Sequence, residues 1–366
     1  MTWDHPRGAD PLVAASRAWE AETGEAITWD RRSLQDFETF PVGELARHYD
    51  LIVIDHPHVG HVAAAGCLAP LDGLVAESVL EGIAAGSVGG SYESYRWAGH
   101  QWALPIDAAS QVQAWVPGRI PAPVTRFEDL QPLLAAGRVM VPLRAPHGLM
   151  TLFSLCGLAG FGLDVEAQDL FPVQAAAAYD RLRDLAAAID PAAWSMDPIA
   201  VFEAMADPAS PIAVAPFIYG YVSYARDGFR SRTIHFADVP VFNTQPVGTA
   251  LGGTGLAVSA LGDDPSGAAR FAAWVAGGAL QRDLVAAEGG QPAHAEAWGD
   301  DGVNRATHDF YRATRRTLDQ AWLRPRHDGY MAFQDAASHR LEEALRRGET
   351  ATDALAALNT LYRQSR

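Results

Sequence analysis

Short apolar runs alternate with amphipathic stretches along the first hundred residues, as they do where strands and helices take turns. Thr2-Trp3 reads as the end of a short strand. Helical spacing runs from Pro11 to Glu22, with Asp10 as N-cap, Pro11 in the first turn and Gly24 as the stop. Ala26-Ile27-Thr28-Trp29 reads as the next strand, and Ser33 to Ala46 as a helix broken at Pro41. Leu51-Ile52-Val53-Ile54 is continuously apolar and closes on Asp55, which suits a parallel strand buried on both faces. A helix from Val59 to Ala65 follows, stopped by Gly66. This repetition predicts an open parallel sheet, whose ligands bind at the carboxyl ends of the strands. Those ends carry Asp4, His5 and Arg7, then Asp30, Arg31 and Arg32, then Asp55, His56 and His58.

Gly99 to Asp107 reads as a strand leaving this first unit, and a second α/β pattern begins behind it. It comprises a strand from Arg138 to Leu143, helices from Leu149 to Leu158, Val173 to Ala188 and Pro198 to Ala206, and a strand from Ile212 to Ala215. Gly252-Gly253-Thr254-Gly255 forms a glycine-rich approach to another strand, followed by helices from Pro265 to Gly277 and Leu280 to Glu288. Two Ala-rich amphipathic helices, Tyr330 to Arg347 and Thr352 to Tyr362, end the chain. The glycines precede a strand instead of opening a helix, which is the wrong context for a dinucleotide phosphate cradle.

A chain of 366 residues is too long for one small core and predicts two compact lobes. Lys and Arg number 28 against 44 Asp and Glu, a net charge of −16, which argues against a nucleic-acid partner. A local pocket can still be positive. Cys67 and Cys156 each sit in an apolar stretch, with neither a redox nor a metal-ligand spacing, and read as core residues. The longest apolar run, Leu149 to Gly162, is too short and too rich in glycine to span a bilayer. Met1 is followed at once by Thr2-Trp3-Asp4, without the basic and apolar regions of an export signal. A native start at Met1 would place the protein in the cytoplasm; a removed leader would place it outside the membrane.

Several segments then fall into one register. Asp50 to Asp55 followed by Ala63-Ala64-Ala65-Gly66-Cys67-Leu68-Ala69-Pro70-Leu71-Asp72, Gly99 to Asp107, Gly252 to Val258, Ala268 to Val275 with Leu280 to Pro292, and Thr352 to Leu355 resemble, in order, the family 1 extracellular solute-binding proteins. These are the sugar-type receptors of ABC importers. The resemblance implies a periplasmic-binding-protein-like α/β fold of class II type with two discontinuous lobes. They would be residues 1–108 with 248–298 and residues 109–247 with 299–366, hinged near Asp107 and Gly248. It also implies a monomer that captures a small molecule, an ABC permease as partner, and no cofactor or metal.

The family's ligand contacts fall on the turn at Pro6-Arg7, on Asp55 to His58, on the loop Arg144 to His147, and on Phe217 and Tyr219 as an aromatic platform. Asp107 and Ser110 at the crossing are further polar candidates, or else cap the hinge. Arg7, Arg31, Arg32 and Arg144, with His56, His58 and His147, depart from an ordinary sugar receptor. Arg suits bidentate recognition of carboxylate or phosphate. Two such contacts, about 1.5–3 kcal/mol each, would supply much of the ~8 kcal/mol a micromolar ligand needs. The expected ligand is therefore anionic: a sugar acid or organic acid, with a neutral sugar as the simpler option. The alternative pairs Arg31 and Arg32 with Asp30, Asp36 or Glu38 at the surface. The histidines bind the ligand directly, stay structural, or hold a metal; Pro57 in the His56-Pro57-His58 run argues against the last. A second functional class is an enzyme on the same scaffold, with Asp4, His5, Asp55, His56, His58 and His147 as acid–base groups.

Overall fold

Leu104–Trp115 forms one strand, buried along nearly its whole length, from which the rest of the fold is hung. The computed structural model describes residues 1–34, 41–242, 245 and 247–366. Its strands are β1 (Thr2–Trp3), β2 (Arg31–Arg32), β3 (Leu51–Asp55), β4 (Arg96–Trp97), β5 (His100–Gln101), β6 (Leu104–Trp115), β7 (Val214–Tyr219), β8 (His235–Ala237) and β9 (Leu251–Val258). The main sheet runs β3-β9-β6-β7, with β8 on the far end of β6.

Small residues let β6 serve two cores. Leu104 and Ile106 belong to a first buried cluster built from residues 1–106 and 256–276. Ala108, Val112 and Ala114 belong to a second, built mainly from residues 108–251 and 293–362. β9 makes the same passage in reverse, with Leu251 in the second cluster and Leu256 to Val258 in the first. The two strands cross side by side, with a register irregularity between Pro105 and Asp107. Opposite it Gly253 has φ +96°, and a Cβ there would lie 2.4 Å from the Asp107 carbonyl oxygen. Only glycine fits that crossing.

Both-face burial of Leu51-Ile52-Val53-Ile54 is present, but β3 runs antiparallel to β9. Continuous apolarity reports burial, and burial is the same for either direction. All pairings of β6 are antiparallel too; among the described strands β1 pairs β2 in parallel. Met1, just before β1, bonds β3 in the parallel pattern, its N–H donating to the Leu51 carbonyl at 2.8 Å and its carbonyl accepting from Val53 N–H at 3.1 Å. The β1–β2 pair uses Arg31-Arg32, while Ala26 to Trp29 is not a strand. The first helix begins at Pro6 instead of Pro11, because Pro6 supplies the first turn and His5 Nδ1 accepts the Arg7 N–H at 3.1 Å. Arg138 to Leu143 makes a single bridge, Val139 to Val214. Gly252 and Gly253 lie within β9 and not before it. Of the helix expected from Ser33 to Ala46, Val42–Leu45 is helical, and residues 35–40 lie outside the described residues. Among the described residues no helix is long and apolar enough to cross a membrane.

A segment following the helix Phe310–Asp319 fastens the second core to the first. Trp322 N–H donates to the Thr249 carbonyl at 2.7 Å, and the Trp322 carbonyl accepts from Leu251 N–H of β9 at 2.9 Å. Arg326 Nη1 then donates to the carbonyls of Glu93, Ser94 and Arg96 at 2.8, 3.0 and 2.8 Å. Asp328 meets His61 at 3.0 Å. Gly60 makes this approach possible, since a Cβ on it would lie 1.9 Å from the Arg326 carbonyl oxygen.

Candidate functional site

A narrow cleft of about 80 Å³ opens where the two cores face each other. Trp3, Arg7 and Asp55 line it from the first side, Ala109, Gly252, Gly253 and Thr254 from the crossing strands, and His147, Met150, Tyr219, Tyr221 and Arg324 from the second.

Two ion pairs stand at its wall, and the second joins its two sides. Arg7 is held in place by its helix and buried. Its Nε donates to Asp107 Oδ2 at 2.7 Å, Nη2 donates to Oδ1, and Nη1 donates to the Gly220 carbonyl at 2.7 Å. The guanidinium carbon lies 4.4 Å from the Tyr221 ring centroid. Burial raises the Asp107 carboxyl above its ordinary value and Arg7 opposes it; the two-pronged contact identifies the pair as ionised. In the second pair, Arg324 Nη2 donates to Asp55 Oδ1 and Oδ2 at 2.9 and 2.7 Å, and Nη1 donates to Gln334 Oε1 at 3.0 Å. Burial would raise the Asp55 pKa, but Arg324 and His56 outweigh it and hold the carboxyl well below the usual range. Burial likewise works against the Arg324 cation, and Asp55 reverses the balance and raises its pKa.

His5, His56, His58 and His147 are buried, which favours their neutral form. Burial, the largest cause in each case, pulls His5, His56, His58 and His147 down to about 4. Such values lie far from the near-neutral pKa that suits general acid–base work. His56 packs behind Asp55 against Tyr95, with Nδ1 3.2 Å from Asp55 Oδ1. His5 is enclosed by Tyr221, Tyr224 and Phe229. Among the described residues no group of three or more His, Cys, Asp or Glu is placed to hold a metal.

The cleft wall thus gathers Arg7, Asp55, His147 and Tyr219 from the residues expected by sequence, with Asp107 directly behind Arg7. His58 and Arg144 line an adjoining groove, where Arg144 is exposed and 3.9 Å from Asp197. Phe217 does not line the cleft: it is fully buried in the second core, 6.1 Å from Phe127. Ser110 is buried beside the crossing. Asp4 is exposed, and Arg31 is half exposed between Asp4 and Asp10 at 3.8 and 3.9 Å. Arg32 is engaged as well; Asp36 and Glu38 lie outside the described residues. Sequence reasoning misses Trp3, Thr254, Tyr221 and Arg324. Thr254 had a signal, as the one polar side chain in a glycine-rich crossing. Arg324 had none, because it comes from a connection between helices and not from a strand end.

No protein-family model matches the chain, and no curated protein matches it in sequence. Solved structures do match, over almost the whole length. An ABC transporter solute-binding protein of Thermotoga lettingae TMO bound with α-D-tagatose gives a TM-score of 0.81 at 14% identity, covering 98% of this chain and 96% of that one. A maltose-bound T. maritima protein gives 0.79 at 15%, covering 97% and 95%. An ABC transporter solute-binding protein of Agrobacterium radiobacter K84 in complex with ribitol gives 0.76 at 18%, covering 97% and 96%. The fold is therefore periplasmic-binding-protein-like.

Proposed function

We propose that this chain is a solute-binding protein whose two lobes close around one small, uncharged, polyhydroxylated molecule and deliver it to an ABC importer. The lobes are residues 1–108 with 248–298 and residues 109–247 with 299–366, turning about the crossings near Asp107 and Gly248. The carrying observation is that each buried arginine of the cleft is already matched by a carboxylate, Arg7 by Asp107 and Arg324 by Asp55. Such a wall offers donors and acceptors together but little net charge, and hydroxyl groups, which do both, suit it. The rings of Trp3, Tyr219 and Tyr221 supply the apolar surface that covers sugar C–H groups. The anionic ligand expected from counting arginines loses its main support here. The solutes of the similar structures, tagatose, maltose and ribitol, agree with the uncharged reading.

A thermal-shift panel tests this. Maltose, D-tagatose, ribitol and related neutral sugars are compared with gluconate, galacturonate and small dicarboxylates. A ligand at 100 times its Kd stabilises the native state by about 2.7 kcal/mol, enough to raise the Tm visibly. At least one neutral compound is expected to do so, with its acid counterpart at least tenfold weaker. Shifts from the acids alone would overturn the proposal.

A further inference from the structure

Three buried polar atoms in residues of the cleft wall have no hydrogen-bond partner: His147 Nδ1, Thr254 Oγ1 and Arg324 Nε. Their residues are 3%, 7% and 4% exposed, so bulk water does not satisfy them. They come from unrelated parts of the chain: the first residue of the helix His147–Leu158, the crossing strand β9, and the connection before the helix Tyr330–Arg347. Buried polar groups are nearly always partnered, because leaving one unpaired costs stability. One orphan invites a local explanation. Three around a single cavity call for a common one.

We infer that these three atoms are the hydrogen-bonding set that reads the ligand's hydroxyl pattern, left unsatisfied in the free protein so that only a matching polyol completes them. The inference rests on the polyol reading above and deepens it by naming the specificity residues. Arg324 Nε–H can only donate, so it requires an acceptor oxygen. The Thr254 hydroxyl donates and accepts, as a second hydroxyl does. The neutral His147 ring takes a hydrogen bond at one nitrogen and gives one at the other. Adjacent hydroxyls on a rigid carbon frame meet all three demands, whereas a cationic or purely apolar ligand meets none at Arg324. A site built this way rejects an analogue that lacks one hydroxyl far more strongly than a hydrophobic pocket rejects a missing methylene.

This arrangement has an uncommon consequence for mutagenesis. Thr254→Val is nearly isosteric and removes an unsatisfied buried hydroxyl, so the free protein should melt at the same temperature or higher. His147→Phe removes the ring nitrogens in the same sense and serves as the second variant. Both should bind the strongest neutral compound of the panel at least tenfold more weakly by calorimetry. One monodeoxy analogue of that compound should bind wild type at least tenfold more weakly than its parent, yet lose no more than threefold in Thr254→Val, the coupling expected of a direct contact. Variants that bind as tightly as wild type would overturn the inference while leaving the polyol reading intact. So would variants with lowered melting temperatures and unchanged deoxy discrimination, the mark of a structural hydroxyl. A wild type that binds no neutral polyol at all overturns the preceding reading, and this inference with it.

Discussion

Asp107→Ala is expected to destabilise the protein by about 3–5 kcal/mol, the cost of stranding a buried charge. Arg7 is 5% exposed and makes two of its three hydrogen-bonding contacts to that carboxylate. Without it the guanidinium keeps only the Gly220 carbonyl and the face of Tyr221. The loss should be visible as a lower denaturant midpoint. Because the pair joins the first helix to the crossing strand and to Gly220 beyond it, the transition should also broaden as the two cores uncouple. Arg31→Ala is the control: Arg31 is 43% exposed and sits 3.8–3.9 Å from its carboxylates, and its removal should cost no more than about 1 kcal/mol. Equal losses from the two substitutions would contradict the role given to Arg7 and Asp107.

Acid should unfold the protein well before its carboxylates titrate. His5, His56, His58 and His147 have folded pKa values near 4 against an ordinary 6.5. Burial is the main cause, assisted by Arg7 and Arg230 at His5, Arg324 and Arg326 at His56, Arg324 and the neighbouring His61 at His58, and Arg144 and Arg324 at His147. Carboxylates oppose the shift through Glu203 at His5, Asp55 at His56 and His58, and Asp197 at His147. Between pH 6.5 and 4 the unfolded chain binds protons that the folded chain refuses. Stability is thus full above about pH 6.5 and falls as pH drops toward 4, by up to ~1.4 kcal/mol per pH unit for each histidine. Asp55, held below its ordinary 3.8, adds a further loss once the pH falls through the carboxylate range. Urea unfolding at pH 7.5, 6, 5 and 4.5 checks this. Stability that stays level from pH 7 to 5 would contradict the buried, neutral state of these rings.

Most of the fold is legible in local patterns. Leu51 to Asp55, Leu104 onward and Gly252 to Val258 are apolar or glycine-bearing runs whose meaning does not depend on distant residues. Strand direction is not legible in them, since β3 would be as apolar in either orientation. The site is only half legible for the same reason. Asp55 and His147 stand at the end of a strand and the start of a helix, where position along the chain nearly fixes position in space. Arg324 reaches Asp55 across 269 residues, and nothing near either of them announces the meeting. Phe217 and Tyr219 share one face of β7, but depth along the strand sends the first into the core and the second to the cleft. Counting arginines at strand ends suggests an anion; the partners that absorb their charge, Asp107 and Asp55, emerge only from the packing.

Hydrogen exchange of the full chain, with and without the strongest neutral compound of the panel, tests the central claim most directly, because it reports which backbone segments the ligand closes upon. Slowed exchange is predicted on both sides of the cleft at once: in residues 51–58 of the first core, in the crossing segments 104–110 and 250–255, and in residues 147–151, 219–221 and 322–328 of the second. Protection confined to one core, or lying outside these segments, would contradict a ligand held between the two.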